Sequence, residues 1–295
     1  MLKNLISSQR ASDYWRNIDK NILFSFLTLF FLGIFFSFSS TSSLAGERLI
    51  KDFYHYFSKH LTFSILAIVV MFSISYVKIS FLKKTILPIF IISLILLILV
   101  PFVGVEIKGA KRWLDLIIFR LQPIELIKPF FVLITANLIT RGKEKNSNYS
   151  YFLSLTILLL IVILLLNQPD IGQSILLITT WVSIVFISGI KMSYILILFC
   201  LMLIFSISLL LIFPEKFGYI AQRLTTFLDP TKGDNFQTDK ALAAIKQGGL
   251  KGQGMGEGIL KESVPEAHTD YIIAVITEEF GSIISILVIT IFLYI

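Results

Sequence analysis

Acidic residues interrupt the last apolar stretch of the chain and could supply acid–base chemistry. The segment SVPEAHTDYIIAVITEEFG places His268 and Asp270 at the start of that stretch and Glu278 and Glu279 within it. On a helix that begins near Asp270, Glu278 would lie about 12 Å deeper and about 80° around the axis, with Glu279 nearly opposite Asp270. Thr269 or Asp270 could cap this helix, or Asp270 could act as a base. Carboxylates are costly in lipid, so we interpret both glutamates as buried packing contacts.

A second group of polar residues lies in the stretch GVEIKGAKRWLDLIIFRLQPIELIKP. Pro123 suits the first turn of a helix, which puts Glu125 and Lys128 at i and i+3 on one face. This pair is either a structural ion pair that fixes helix packing or one polar wall of a substrate cavity. The residues from Trp113 onward alternate apolar bulk with charge, which indicates an amphipathic segment at the membrane interface, anchored by Trp113.

Two further stretches are rich in turn-forming residues. In NQPDIGQS, Pro169 and Asp170 fit the first turn of a helix, where an acid complements the helix dipole. The stretch GGLKGQGMGEG is either a simple flexible loop or a loop whose backbone N–H groups bind phosphate. No predicted strand precedes this loop, so the loop does not match the dinucleotide-binding fingerprint. DKALAAIKQGG, which leads into this loop, predicts a short helix stopped by glycine.

Together these residues predict a polar cavity at one membrane surface. Asp270 is its acid, and Arg112, Lys128 and Arg223 are its candidate cations. A base beside several cations suits a hydroxyl nucleophile and a phosphate leaving group.

The elements that carry these residues are predicted to be membrane helices. Of the 295 residues, 56% are hydrophobic and only 15% are charged, which excludes an ordinary soluble domain. Lipid offers no partner for exposed backbone groups, so we predict an all-α polytopic membrane protein. Cys200 is the single cysteine and can form no internal disulfide. Eight stretches are long enough to span the membrane: 21–40, 61–77, 85–103, 123–139, 151–167, 170–189, 193–213 and 271–295.

The basic residues predict the orientation of this single domain, 1–295. Lys and Arg are more numerous in the loops on the side of the N-terminus, which places residues 1–20 in the cytoplasm. Residues 214–270 then form a large extracytoplasmic loop between helices 7 and 8. The net charge of +7 is thus mainly a topology signal and does not call for nucleic acid. The chain ends inside an apolar run without a basic flank, so we expect a C-terminal truncation.

Several motifs in order resemble the SEDS family of bacterial cell-wall glycosyltransferases, which contains FtsW, RodA and SpoVE. They are GAKRWLDL, LQPIELIKP, NQPDIGQSILL, QRLTTFLDP, GQGMGEG and VPEAHTDYIIAVITEEFG, and the resemblance covers nearly the whole chain. PEAHTD and the GEG before it are more similar to FtsW, the cell-division branch, than to RodA, the elongation branch. The family has ten helices, so the eight found here imply that two C-terminal helices are missing. Ile124 stands where the family usually has serine.

The resemblance implies polymerisation of lipid II into glycan strands. Asp270 matches the family's essential aspartate, which would deprotonate the acceptor 4-hydroxyl for an inverting attack that expels undecaprenyl pyrophosphate. Arg112 and Arg223 match positions suited to stabilising that leaving group, and Glu125 and Lys128 match the polar pair of the central cavity. The remaining residues assigned to the cavity or its support are Trp113, Gln122, Pro123, Asp170, His268, Glu278 and Glu279.

The resemblance also implies partners and a location. The partners are lipid II, a class B penicillin-binding protein that acts as transpeptidase, other divisome membrane proteins and membrane lipid, with no nucleic acid. The protein would lie in the inner membrane at the division septum, with its active site outside. A divalent cation, Mg²⁺ or Mn²⁺, would be an optional cofactor, although the sequence shows no clear ligand set for one.

Three alternatives compete with this function. A polar membrane cavity with Glu125 and Lys128 also suits a flippase for a lipid-linked sugar. An elongation polymerase of the RodA type and a non-catalytic scaffold for the transpeptidase are the others. Asp270 distinguishes the polymerase from the flippase, because transport needs no base at the outer surface.

Overall fold

The computed structural model describes residues 14–41, 55–107, 109–116, 119–144, 149–212, 218, 225, 236–264, 267 and 270–295. The chain divides into two compact units, one formed by Met1–Tyr76 with Lys216–Ile295 and the other by Val77–Glu215. In chain order the elements are α1 Lys20–Thr41, α2 His55–Ser75, α3 Ile79–Val103, β1 Val105–Ile107, β2 Ala110–Asp115, β3 Arg120–Leu121, α4 Pro123–Glu144, α5 Tyr149–Asn167, α6 Ile171–Ile187, α7 Met192–Ile212, α8 Phe236–Gly248, the 3-10 helix Leu260–Ser263, and α9 Ile272–Tyr294.

All eight stretches predicted to cross the membrane are helical. Six of these helices are long and apolar enough to span a bilayer, namely α1 to α5 and α9. The helix α6 is shorter, with 17 residues. The architecture of a polytopic helical membrane protein is therefore confirmed, whereas the count of eight spans stays a prediction. The short helix predicted before the glycine-rich loop is also present, as α8.

The segment between α3 and α4 forms a three-stranded antiparallel sheet in the order β1-β2-β3, and its place at the membrane interface stays a prediction. Trp113 pairs with Val105, and Leu114 pairs with Leu121. The alternation of apolar and charged residues is the period of two of a strand, in which Leu114 is buried and Asp115 is exposed. The strand β2 packs against α3 and α4.

The core of the second unit is a continuous apolar cluster along α3, α4, α5 and α6. Ile127 and Phe131 of α4 are fully buried there, as is Leu158 of α5. Trp181 of α6 belongs to the same cluster and donates its indole N–H to Ser154 Oγ at 3.1 Å. Helix α4 is thus held on several sides, which fixes the polar residues at its first turn.

In the first unit, α9 packs on α1 and α8 and is kinked at Gly281, where φ is 85° and ψ is 168°. The glycine-rich loop that follows α8 supplies partners for the helix backbone at this kink. Gln253 N–H donates to Glu278 O at 2.8 Å, and Gly254 N–H donates to Glu279 O at 3.0 Å. Ser282 N–H donates in turn to Gly249 O at 2.9 Å. The loop therefore satisfies backbone groups that a straight helix would pair internally.

Replacing Gly252 by alanine is expected to destabilise the protein by about 3 kcal/mol or more, because it adds a steric clash to backbone strain. An added Cβ would lie 2.2 Å from Glu279 O, and φ is +81° at this position. Gly249→Ala is the matched control, since φ there is +57° but nothing lies within 4 Å of an added Cβ. The control should cost about 1–2 kcal/mol. Chemical unfolding in detergent measures both, and equal losses would contradict the steric argument.

Candidate functional site

Arg112 on β2 ties the sheet of the second unit to the turn between α5 and α6. Its Nε donates to Gln168 O at 3.1 Å, and its terminal nitrogen donates to Pro169 O. The same Nε lies 3.9 Å from Asp170 Oδ2. About a third of the Arg112 side chain is exposed.

Asp170 lies at the N-cap of α6, one residue before the position that the sequence analysis gave it. Its side chain makes no capping hydrogen bond in the described structure. The buried carboxylate faces Arg112 and accepts a hydrogen bond from Gln122 Nε2 at 3.4 Å. One cation, Arg112, and one amide, Gln122, therefore hold the Asp170 side chain. The motif alone suggested only a simple helix start.

The predicted ion pair on α4 is present. Lys128 Nζ lies 2.6 Å from Glu125 Oε2, with half of the Glu125 side chain exposed. Gln173 of α6 donates to Glu125 Oε1 at 3.2 Å. The other Gln173 amide atom, Oε1, is buried and accepts no hydrogen bond from the described residues. The pair therefore stands beside a buried amide oxygen that has no hydrogen-bond partner among the described residues.

The other residues assigned to this region support it. Helix α4 begins at Pro123, as predicted, and Pro123 is buried. Trp113 is half-buried in β2. Ile124 is 1% exposed and belongs to the apolar core, so the position where the family usually has serine points inward here. Gln168 and Gln173 were missed by the sequence analysis, because uncharged amides near a helix start carry no distinctive spacing.

Replacing Arg112 by lysine is expected to destabilise the second unit by about 1.5–3 kcal/mol, since one ammonium cannot reproduce two hydrogen bonds from a planar guanidinium. The midpoint of thermal unfolding in detergent measures the effect. Lys111→Arg is the control on the same strand, because Lys111 is exposed. A folded Arg112→Lys protein of unchanged stability would show that these carbonyl contacts are dispensable.

Asp270 belongs to the first unit and is exposed in the turn that leads into α9. The N-cap of α9 is Tyr271, and no side-chain capping bond is formed there in the described part of the chain. The interpretation of Asp270 as the helix cap is therefore wrong. His268 and Arg223, the other candidates in this part of the sequence, lie outside the described residues.

An apolar cluster holds the chain on both sides of Asp270. Val264 and Ala274 are buried in it together with Ala244 of α8. Ala267 and Tyr271 pack against the same cluster. The turn that carries Asp270 is thus fixed to α8 and to the first turn of α9.

Glu278 and Glu279 are 0% and 1% exposed, so both face protein, as the cost of a charge in lipid requires. Glu279 forms a buried ion pair with Lys261. Lys261 was missed by the sequence analysis, because nothing in the spacing of KESVPEAHTD ties a lysine to a glutamate 18 residues later. The two acids in the apolar helix therefore bind the loop that precedes it.

The structure brings the candidates together in three groups. Arg112, Gln122 and Asp170 form one group in the second unit, and Glu125 with Lys128 forms another. The third group lies in the first unit. It contains Glu278 and Glu279 of α9, eight and nine residues beyond Asp270, which is exposed in the turn before that helix.

The described residues contain no cluster of three or more His, Cys, Asp or Glu side chains that could hold a metal ion. Within this part of the chain, Mg²⁺ or Mn²⁺ therefore has no ligand set of that kind. The chemistry that these residues support is proton transfer and charge stabilisation by side chains.

Residues 19–295 match the family model of FtsW, RodA and SpoVE, which is described as a cell cycle protein family. The probable peptidoglycan glycosyltransferase FtsW of Caulobacter vibrioides is 30% identical over 272 residues, which cover 92% of this chain and 69% of that protein. The protein of the same description from Wigglesworthia glossinidia brevipalpis is 34% identical over 276 residues, with 92% and 71% coverage. The chain thus spans about seven tenths of these relatives.

Solved structures share the fold. A chain from a peptidoglycan synthase complex, studied for the coordination of polymerization and crosslinking, superposes with a TM-score of 0.72 at 24% identity. The match covers 93% of this chain and 75% of that chain. The rod shape determining protein RodA of Thermus thermophilus matches with a TM-score of 0.53 at 27% identity, over 64% of this chain and 60% of its own.

Proposed function

Because this chain belongs to the FtsW, RodA and SpoVE family of cell cycle proteins, we propose that it is a peptidoglycan glycosyltransferase that polymerises lipid II. The relatives described above carry the name of that activity. The observation that carries the proposal is the position of Asp270. Its carboxylate is exposed at the start of a membrane helix, is not the cap of that helix, and lies on a turn fixed by packing.

Asp270 acts in this proposal as the general base. Its carboxylate accepts the proton of the acceptor 4-hydroxyl, and the oxygen then attacks the anomeric carbon of the donor sugar. The bond from that carbon to the pyrophosphate breaks with inversion, and undecaprenyl pyrophosphate leaves with the electron pair. A base positioned within hydrogen-bond reach of the hydroxyl contributes typically 10²–10⁴-fold to such a step.

Arg112 and Lys128 are the side chains to which this proposal assigns the binding of phosphate groups. The Arg112 side chain is about one third exposed although it donates to two carbonyl oxygens. Lys128 is paired with the half-exposed Glu125, which holds its ammonium group in one place. Anionic oxygens are favourable partners for such fixed donors. Arg223 is assigned the same role from the motif QRLTTFLDP.

The biological setting that we propose is septal cell-wall synthesis in the cytoplasmic membrane. The relatives are named FtsW, which supports the division role over the elongation role. Residues 1–20 lie in the cytoplasm and residues 214–270 lie outside. A class B penicillin-binding protein is the proposed partner, alongside other divisome membrane proteins. A structural neighbour from a complex that combines polymerization with crosslinking supports that pairing.

The experiment that tests the activity is polymerisation of purified lipid II by the protein in lipid, alone and with a class B penicillin-binding protein. Glycan strands resolved on a gel would support the proposal, and their absence from a folded complex would contradict it. Parallel reactions with Mg²⁺, with Mn²⁺ and with a chelator determine whether a divalent cation is needed.

A lipid II flippase is the second candidate, because the half-exposed ion pair of Glu125 and Lys128 provides a polar site on a membrane helix. Translocation of labelled lipid II across sealed vesicles tests it directly. Translocation without strand formation would favour the flippase. Strand formation at the face where lipid II is added, without translocation, would favour the polymerase.

A further inference from the structure

The buried Glu278 carboxylate holds the start of the 3-10 helix Leu260–Ser263. Its Oε1 accepts the Leu260 N–H at 2.7 Å, and its Oε2 accepts the Lys261 N–H, also at 2.7 Å. Both oxygens thus bind consecutive backbone donors at the N-terminus of a helical turn. Hydrogen bonds from N–H groups to a carboxylate are stronger than those between neutral groups. Glu278 therefore binds two consecutive backbone N–H groups, one with each carboxylate oxygen.

Glu279 makes further contacts with the same segment and with the loop before it. It accepts the Gly256 N–H at 3.2 Å and pairs with the Lys261 ammonium group. It also accepts the hydroxyl of Ser39 on α1. We refer to Glu278, Glu279 and Lys261 as the carboxylate clamp. Through it, residues 256–261 are bound to α9 at three backbone N–H groups.

The segment held by the clamp leads directly to Asp270. Asp270 lies nine positions after Lys261, and Val264 and Ala267 between them lie in or against the apolar cluster with Ala274. Lys261 is thus bound to α9 by the clamp, and Val264, Ala267 and Tyr271, which lie on either side of Asp270, are held by the cluster.

A buried carboxylate is an expensive way to attach a loop, because an apolar side chain of similar size would often give equal or better stability. What the carboxylate adds is directional hydrogen bonding. Since proton transfer requires the base within hydrogen-bond reach of the hydroxyl, a loop that drifts by about 1 Å can lose about a hundredfold in rate. Directional attachment is thus useful where a catalytic group must be placed.

We propose that Glu278 is a positioning residue for Asp270, which acts by holding the backbone of Leu260 and Lys261 and makes no contact with substrate. This inference rests on the proposed glycosyltransferase function. It assigns to the glycine-rich loop a role in placing the base, in addition to its contacts with the kink of α9.

The test is the steady-state kinetics of Glu278→Gln in lipid II polymerisation. A glutamine offers one acceptor in place of two and turns an N–H donor toward the second backbone N–H. We expect kcat to fall by about tenfold to a hundredfold with KM for lipid II within about twofold. Glu257→Gln is the matched control, because Glu257 lies exposed in the same loop. It should keep kcat within about twofold of the wild type.

Hydrogen–deuterium exchange on the same proteins provides a readout that does not depend on activity. In Glu278→Gln, exchange should rise across residues 256–264 and stay unchanged across the part of α9 beyond the kink. Gly258→Ala is a second, milder variant, since an added Cβ would lie 3.0 Å from Glu278 Cδ and 3.2 Å from Oε2. It should move the carboxylate without changing its charge and lower kcat in the same direction.

The outcomes separate this inference from the proposed function. An active wild type, with a loosened loop in Glu278→Gln but unchanged kcat, overturns the positioning role alone. An increase in KM with unchanged kcat overturns it too, because Glu278 would then act in binding. If Glu278→Gln does not fold, normal kcat in Gly258→Ala overturns the inference and reduced kcat supports it. A folded wild type that makes no strands overturns the proposed function and this role with it.

Discussion

Replacing Asp270 by asparagine is expected to lower the rate of lipid II polymerisation by about 10²–10⁴-fold, the usual contribution of a general base. Asparagine has the same shape but cannot accept the proton of the acceptor hydroxyl. The fold should be unaffected, because Asp270 is exposed and the N-cap of α9 is Tyr271. Glycan strand formation at saturating lipid II measures the effect, together with thermal unfolding of both proteins.

The control for this substitution is Asp239→Asn, which removes an exposed carboxylate from the first turn of α8 in the same unit. It should keep the polymerisation rate within about twofold, since only the weak dipole interaction is lost. Normal polymerisation by folded Asp270→Asn would remove Asp270 from the mechanism. Loss of polymerisation with intact binding of the penicillin-binding protein would exclude a pure scaffold.

Replacing Lys261 by methionine is expected to destabilise the protein by about 3–5 kcal/mol, the usual result of removing one partner of a buried ion pair. The Lys261 and Glu279 side chains are 3% and 0% exposed, so water cannot take the place of the missing ammonium group. Glu279 would be left with only the Gly256 N–H and the Ser39 hydroxyl as described partners. Chemical unfolding in detergent measures the free energy of unfolding.

The double variant Lys261→Met with Glu279→Gln tests the cause of this loss. It should recover part of the stability, because the neutral amide no longer needs a counter-charge. Lys251→Met is the matched control, since Lys251 is exposed in the same loop and its loss should change stability by less than about 0.5 kcal/mol. A double variant as unstable as the single one would show that Lys261 acts through packing of its side chain.

Some of the site followed from sequence because the interactions are local. Pro123 at a helix start puts Glu125 and Lys128 one turn apart on one face whatever surrounds them, and the ion pair is present. The turn residues after α8 likewise end that helix at Gly248, where the glycines begin. Spacing of three or four residues decides such features, so periodicity is sufficient to predict them.

Other features could not be derived because partners far apart in the chain create them. Asp170 faces Arg112 and Gln122, which lie 58 and 48 residues earlier in the chain. The alternation around Trp113 suits an interfacial segment or a strand equally, and only pairing with β1 and β3 makes it a strand.

By itself the sequence determined that this protein is a bundle of membrane helices, because the length of an apolar run and the bilayer thickness leave no other backbone solution. It also determined the candidate base, since Asp270 stands at the edge of such a run within a family motif. Only the tertiary structure decided what Glu278 and Glu279 do. Their carboxylates are buried against the Lys261 ammonium group and the backbone N–H groups of Gly256, Leu260 and Lys261, 17 to 23 residues away. A buried charge is stable only where partners compensate it, and the tertiary fold determines which residues those partners are.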